Sequence, residues 1–537
     1  MSKVINPSEY AGYKKDKFTF VQMDKSIHDT KFETKPVSYL KGCWQRFSHN
    51  KGSIVAGVIL LLIILFAIIA PMTTDRTVQW NDANYAYVLP KNPMFEGTGF
   101  WDGTQSKKIY QNAYDEYRLY ETEDKPIVGD VEAGEEKNVL GQTVKYYKVT
   151  YDTYAVGAKE LRDVTTADIE KIREWETNTG RKIMLPLIDY ETYVDAYFDD
   201  IDDKLDPSSP NYDPTYATKY PGGTTTLRVN MSGRYAQNAN LWYELVMPTS
   251  GQQFVPKLDS NDQPTDIYKK DSSGQVIYVE NVDSAGLKLH IRVDYNNYYE
   301  YLNGKACFFL FGANSVGNDI FVRLASGARL SLILGVCVSA INLIIGLIWG
   351  SISGYYGGTV DLIMERITDI LSAIPFVIVA TLFQLHLAAK VGAIVSLLFA
   401  FVVTGWIGTA STTRMQFYRF KNQEYVLASR TLGAKDLRLI FVDILPNAMG
   451  TLITSSVLMI PSVIFSESSL SYLNIVNLST SNITSVGTLL NDGSNFVSSY
   501  PHMIVFPAIF ISLLMITFNL IGNGLRDAFN PTLRGGE

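Results

Sequence analysis

The sequence predicts a polytopic α-helical membrane protein of six crossings, with one α+β domain inserted after the first. Three observations lead there. Uncharged apolar runs of about 20 residues, long enough to cross a hydrocarbon core, stand before and after a central block. Charge divides along the same lines: residues 1–52 hold ten Lys/Arg against five Asp/Glu, residues 73–310 hold 25 against 38, and residues 311–537 hold twelve against eleven. Twenty-four of the 33 tyrosines also fall in 73–310, so the near-zero mean hydropathy of the 537-residue chain averages two unlike parts.

That division excludes a cytosolic enzyme, a secreted domain and a disordered tail protein. With no basic cluster interleaved with aromatics, it also excludes a nucleic-acid partner. Cys43, Cys307 and Cys337 lie too far apart for a disulfide framework or a metal-ligand spacing, and read as small apolar fillers or incidental thiols.

A cytoplasmic tail (1–52) precedes the first span, 53–72, which is free of charge over its whole length. Lys41, Arg46 and Lys51 before it outnumber Arg76 after it, which puts the N-terminus in the cytoplasm and the insertion outside. Within the insertion, 73–310, apolar/polar alternation predicts strands at 145–156, 224–235, 274–282 and 287–295, and a helix over 167–177 ending before Gly180. The acidic run 195–206 lacks the glycine and the terminal glutamate of a calcium loop and reads as a solvated acidic helix, so no metal is expected.

Five further spans are expected at 330–350, 370–389, 391–410, 446–465 and 502–523, which returns the C-terminus to the cytoplasm. Between the second and third, Asp361, Glu365 and Asp369 recur every four residues beside Leu362, Ile363 and Ile367, as in an amphipathic helix lying at the cytoplasmic interface. Segment 411–445 carries six Lys/Arg against three acids, agreeing with a cytoplasmic placement. It reads as a short helix over 424–432, a turn at Gly433, and a second helix with Leu437, Ile440, Phe441 and Ile444 on one face, before Pro446 opens the fifth span. Small residues at Ala428 and Ser429, between the exposed charges Glu424 and Arg430, allow a partner surface to approach closely.

This segment resembles the EAA loop of ATP-binding-cassette import permeases, with Glu424, Ala428-Ser429, Gly433, Ile440 and Pro446 in the motif positions and Asp443 where a basic residue is usual. The motifs at 311–332, 354–375, 466–473, 487–493 and 518–534 make residues 311–537 similar to the C-type permease subunit of oligopeptide and dipeptide importers. Near the outer end of the second span, Gly312, Gly317, Asp319, Arg323, Gly327 and Arg329 match that family, while Ala313, Asn314 and Asn318 replace polar positions; the replacements favour a simply packed helix start.

The resemblance implies a type I importer fold and a pore shared with a homologous second permease. It also implies two ATP-binding subunits that use ATP and Mg, an extracellular substrate-binding lipoprotein, and peptide cargo across a bacterial plasma membrane. Nickel or another small solute is the alternative cargo; a receptor-like or mechanotransmitting protein is the alternative from another class.

No phosphate-cradling G-x-x-x-x-G-K-[ST] occurs, no catalytic motif is present, and the five histidines are scattered, so no catalytic residue is expected. Among ionisable groups near the spans, Glu467 is a candidate for the transport pathway or for a solvated cap, and His386 lies near the end of the third span.

Overall fold

A computed structural model of the chain describes residues 39–110, 114, 127–137, 143–155, 159–187, 202–219, 243–246, 253–256, 268–281, 288–479 and 483–529. The expected strand at 224–235 and most of the acidic run 195–206 lie outside the described residues.

Helix α1 (Tyr39–His49) leads into α2 (Lys51–Ile69), which Asn50 caps by accepting from Ser53 N. The insertion follows. Strands β1 (Thr104–Tyr110), β2 (Glu132–Lys137) and β3 (Thr143–Asp152) form an antiparallel sheet in the order β1-β3-β2. Strand β4 (Lys159–Val164) precedes α3 (Thr166–Thr179), whose start carries a Thr165/Asp168 capping box and whose end is the left-handed Gly180.

Then come β5 (Met184–Leu185), α4 (Pro214–Lys219), the hairpin of β6 (Tyr243–Val246) and β7 (Gln253–Pro256), β8 (Val279–Asn281), β9 (Leu289–Asp294) and α5 (Tyr295–Asn303). β9 is central to the second sheet, pairing with β4, β5 and β8. Ile169 and Ile172 of α3 pack against its Ile291 and Val293, giving the insertion a core of its own.

The helical part continues with α6 (Ile320–Tyr356), α7 (Gly358–Ser372), α8 (Phe376–His386), α9 (Ala388–Val391), α10 (Ala393–Gly405), α11 (Ile407–Phe420), α12 (Glu424–Thr431), α13 (Asp436–Tyr472), α14 (Val486–Ser494) and α15 (His502–Phe529). Among the described residues, five helices or helical runs are long and apolar enough to cross a membrane: 51–72, 320–356, 393–420, 436–472 and 502–529. The pair α7 and α8 passes the same test of length and apolarity together, bent by 73°. The expected straight third span, 370–389, is therefore broken. Pro375 disfavours helix at Ile374 before it, so α7 stops at Ser372 and α8 starts afresh at Phe376.

Two cores hold the bundle. Ile63 and Ala67 of α2, Leu324 and Ala328 of α6, and Leu514 and Phe518 of α15 belong to one; Leu334 and Val338 of α6, Ala380 of α8 and Leu397 of α10 belong to the other. The inner face of α6 is narrow: a Cβ on Gly346, Gly350 or Gly354 would stand 2.6 Å from Thr409 Cβ, Thr413 Cβ or Phe417 Cβ of α11. Spacing by four residues puts these glycines on one stripe, where two helix backbones meet closely.

The insertion sits on the end of the bundle where α2 stops and α6 and α15 begin. Tyr85, Val88, Tyr154, Phe309 and Ala313 form the buried joint. Tyr87 stacks on Tyr500 with ring centroids 4.4 Å apart.

Candidate functional site

At the opposite end of the bundle, α12 stands between two long helices. Its end is a Schellman turn: Gly433 N donates to Arg430 O, Ala434 N donates to Ser429 O, and Gly433 takes φ +85°, which a side chain would resist. The single buried residue of α12, Val426, joins Tyr355, Phe417, Leu439, Ile440 and Ile444 in a small core.

Polar braces supplement this core. Tyr355 OH donates to Asp436 at 2.6 Å, Arg430 reaches Tyr355 OH at 3.5 Å, and Lys421 Nζ donates to Gly354 O at 2.9 Å. Asn447 Nδ2 donates to Tyr425 OH at 3.2 Å, and burial raises the Tyr425 phenol above its ordinary pKa.

The outward surface is apolar and small. Tyr425, Leu427, Leu432, Leu437 and Phe441 are exposed, Leu432 to 88%, and Glu424, Ala428 and Arg430 are exposed among them; Ser429 and Asp443 are half-buried. An exposed apolar surface of this kind at a helix–turn–helix tip is a candidate docking face.

Two sequence expectations change here. The second arm of the hairpin is not a separate helix ending at Pro446. α13 runs unbroken from Asp436 to Tyr472, with a π-type segment Leu439–Ile444 in which Leu445 N donates to Ile440 O. The wider turn lies directly before a proline that lacks an N–H and crowds the preceding turn, so it relieves the proline without ending the helix. The wider turn also shifts the phase: Leu439, Ile440 and Ile444 are buried, whereas Leu437 and Phe441, expected on the same face, are exposed.

The acidic helix is likewise reversed. On α7, Leu362, Ile363, Ile367 and Ile370 are exposed, whereas Asp361 is buried, Glu365 half-buried and Asp369 exposed. Arg414 of α11 donates to Asp361 from Nε and Nη2, both at 2.6 Å, Tyr418 OH donates at 2.7 Å, and Ser353 Oγ donates as well. Glu365 lies 3.3 Å from Arg414. Asp361 and Glu365 thus face protein, clamping α7 and the end of α6 to the helix that leads into α12, while Asp369 pairs with Arg366 on the exposed side of α7.

The second group of motif residues lies at the insertion end. Asp319 caps α6 by accepting from Phe321 N and pairs with Arg76 at 3.3 Å; burial pushes its carboxyl above the usual range while Arg76 opposes the shift. Asn314 and Asn318, expected to leave a simply packed helix start, instead hydrogen-bond each other, and Asn318 also donates to Trp80 O and accepts from Arg323 at 3.2 Å. Arg323 continues to Asp492 at 3.5 Å. Gly317 sits at φ +76° against the Asp82 backbone, Gly312 against His502, and Gly327 against the Ser485–Val486 backbone; Arg329 donates to Ala67 O at 2.9 Å.

Glu467 is fully buried and accepts from Ser331 at 2.9 Å, Ser471 at 3.1 Å and Ser468 at 3.4 Å. The solvated-cap alternative is therefore wrong: hydroxyls of α6 and α13 replace water. His386 is exposed at the end of α8.

Sequence reasoning missed Arg76, Asp492 and the Asp361–Arg414 clamp. The acid spacing on α7 and the glycine spacing on α6 were the available signals for the clamp.

Membrane-length helices around a proud helical hairpin describe a multi-pass membrane protein. Comparison with known proteins gives its family: the chain belongs to the binding-protein-dependent transport system inner membrane components, which match residues 346–535. Residues 38–90 match the N-terminal TM domain of oligopeptide transport permease C. The chain is similar to the oligopeptide transport system permease protein OppC of Bacillus subtilis, 46% identical over 42% of this chain and 72% of that protein. It is 42% identical to the dipeptide transport system permease protein DppC of the same organism, over 42% of this chain and 69% of that one. OppC of Haemophilus influenzae is 37% identical over 42% of this chain and 70% of its own length.

Proposed function

We propose that this chain is the C-type permease subunit of an ATP-driven oligopeptide importer of a bacterial plasma membrane. It forms the pore with a homologous second permease, and its partners are two ATP-binding subunits, which hold the ATP and Mg, and an extracellular lipoprotein that delivers peptide. The chain itself is not an enzyme and binds no cofactor. The N-terminus and hairpin are cytoplasmic and the insertion, 73–310, is extracellular; the Lys/Arg bias of residues 1–52 and 411–445 supports that orientation.

One observation carries the reading: α12 is a rigidly capped, mostly exposed helix with an apolar rim, set between two membrane-length helical runs. Glu424, Ala428, Ser429 and Arg430 form its docking side, while Gly433, Ile440, Asp443 and Pro446 fix its angle. When the ATPase pair closes, α12 moves with it. The continuous α13 carries that motion along one path, and the Arg414–Asp361 clamp carries it to α7 along another. The two arrangements differ in free energy only through contacts made in one state and not the other. Peptide cargo is supported by the names of the relatives; nickel or another small solute is the alternative within the family.

Glu424→Lys and Gly433→Pro test the coupling. Each is expected to abolish peptide uptake and co-purification of the ATPase subunits while the chain still inserts in the membrane. Normal uptake by both variants refutes it. Radiolabelled peptide against nickel in the wild-type complex separates the two cargoes.

A further inference from the structure

Residues 92–101 of the insertion form a built loop whose apolar side chains have no protein cover. Met94 is 87% exposed and Phe100 65%, with Phe95 beside them. A floppy loop would show little by exposing these groups, but this one is fixed. Met94 N donates to Asn92 Oδ1 at 3.1 Å, Asn92 N to Trp101 O at 2.7 Å, and Gly99 N to Asp102 Oδ2 at 2.8 Å. Trp101 is held at φ +56°, a costly conformation for a bulky residue, and its indole N–H donates to Leu310 O. The chain thus maintains a strained turn that presents apolar groups outward.

Where they are presented identifies what they meet. The Trp101 ring lies 6.2 Å from Phe506, one turn inside α15, and 6.3 Å from Phe311, which stacks on Phe506 at 4.2 Å. Phe95 and Phe100 lie against the other side of Trp101, at 6.4 and 5.8 Å. On α15, Val505 and Ile509 flank Phe506 and are exposed, as are Ile68, Ile69 and Met72 where α2 ends. The exposed face of the loop therefore lies beside the exposed apolar side chains of two membrane-length helices, at the last turn of α2 and the first turns of α15. Its single ionisable residue, Glu96, lines a pocket together with Lys91 and Arg181.

We propose that residues 92–101 are an interfacial anchor that inserts Met94, Phe95 and Phe100 among the lipid headgroups and upper acyl chains, with Trp101 as its hinge on the bundle. Apolar side chains around an aromatic ring suit that zone, where one side is wet and the other hydrocarbon. The anchor fixes the height and tilt of the insertion above the pore. It goes beyond the assigned transport role and is independent of the cargo.

The test uses the full complex in phosphatidylcholine nanodiscs. Cysteines replacing Met94, Phe100 and, as a control, the exposed Ser272 are labelled with an environment-sensitive fluorophore, with Cys43, Cys307 and Cys337 changed to serine. Labels at 94 and 100 are expected to be quenched several-fold more by lipid carrying a nitroxide near its glycerol end than by aqueous iodide, with the reverse at 272. Iodide quenching equal to that at 272 overturns the proposal, and so does protection from both quenchers, which would mean a protein partner covers the loop. A second measure keeps the native cysteines: Met94→Asp with Phe100→Asp is expected to melt like wild type in detergent but to gain less stability on transfer to nanodiscs. An equal gain also overturns the anchor.

Discussion

Replacing Gly350 by alanine probes the close contact between α6 and α11. The added Cβ would overlap the Ala410 carbonyl oxygen and stand 2.6 Å from Thr413 Cβ and 3.0 Å from Ala410 C. Carbon atoms at rest keep roughly 3.5 Å from such neighbours, so α6 and α11 must part by about an ångström. Neither obstacle is the end of a flexible side chain, and overpacking of this kind costs about 1–3 kcal/mol. The shift has a second effect. Arg414 lies one residue beyond Thr413, and its 2.6 Å bonds to Asp361 stretch to the limit of hydrogen bonding, about 3.5 Å.

Gly350→Ala is therefore expected to lower the thermal midpoint of the purified complex and to reduce uptake. Gly408→Ala, on α11 with no atom within 4 Å of its Cβ, is expected to leave both unchanged. The measurement is fluorescence-monitored melting of the detergent-solubilised complex together with transport in vesicles. If Gly350→Ala matches wild type in both, the close approach of α6 and α11 is not real and the clamp geometry built on it fails.

Other expectations follow from the same contacts. Arg414→Gln removes the cation from a buried carboxylate, which costs about 3–5 kcal/mol when full and sits at the lower end here because the Arg414 side chain is 28% exposed. Asp361→Arg combined with Arg414→Asp should recover part of the lost melting temperature, and no recovery would show that geometry matters more than charge. Glu467→Ala leaves serine hydroxyls of α6 and α13 without their acceptor, a loss of about 1–3 kcal/mol, whereas Glu467→Gln keeps an acceptor and should melt closer to wild type.

Burial pushes the Cys307 thiol up to about 11. Because the thiolate is the reactive form, maleimide labelling of Cys307 should be slow at neutral pH and rise about tenfold per pH unit through pH 10. An exposed cysteine at position 272 should instead level off near pH 8.5; matching profiles would show that the thiol is not buried.

Apolar length is written locally. A run such as 53–72 needs no partner to declare itself, because the cost of an unpaired backbone in hydrocarbon forces it into a helix. The same holds for α3, whose Thr165 cap and Gly180 stop bracket a helix within two residues of the expected limits. The hairpin was legible for a similar reason, since Gly433 and the small residues on α12 act within one turn of themselves. Its second arm was not: whether Pro446 ends a helix or rides on a π turn depends on what Leu439, Ile440 and Ile444 pack against.

Charge was the least legible feature. The sequence shows an acidic stripe on α7 and assigns it to water, because an isolated amphipathic helix would put it there. Only the fold brings Arg414 to Asp361 across 53 residues, and Arg76 to Asp319 across the whole insertion, which turns those acids inward. The sequence by itself determined the membrane helices, the inserted domain and the exposed hairpin, each a property of a local run. The tertiary structure decided which charges are paired, which face of α7 is exposed, and where the loop at 92–101 sits, since each depends on atoms that are neighbours in space and distant along the chain.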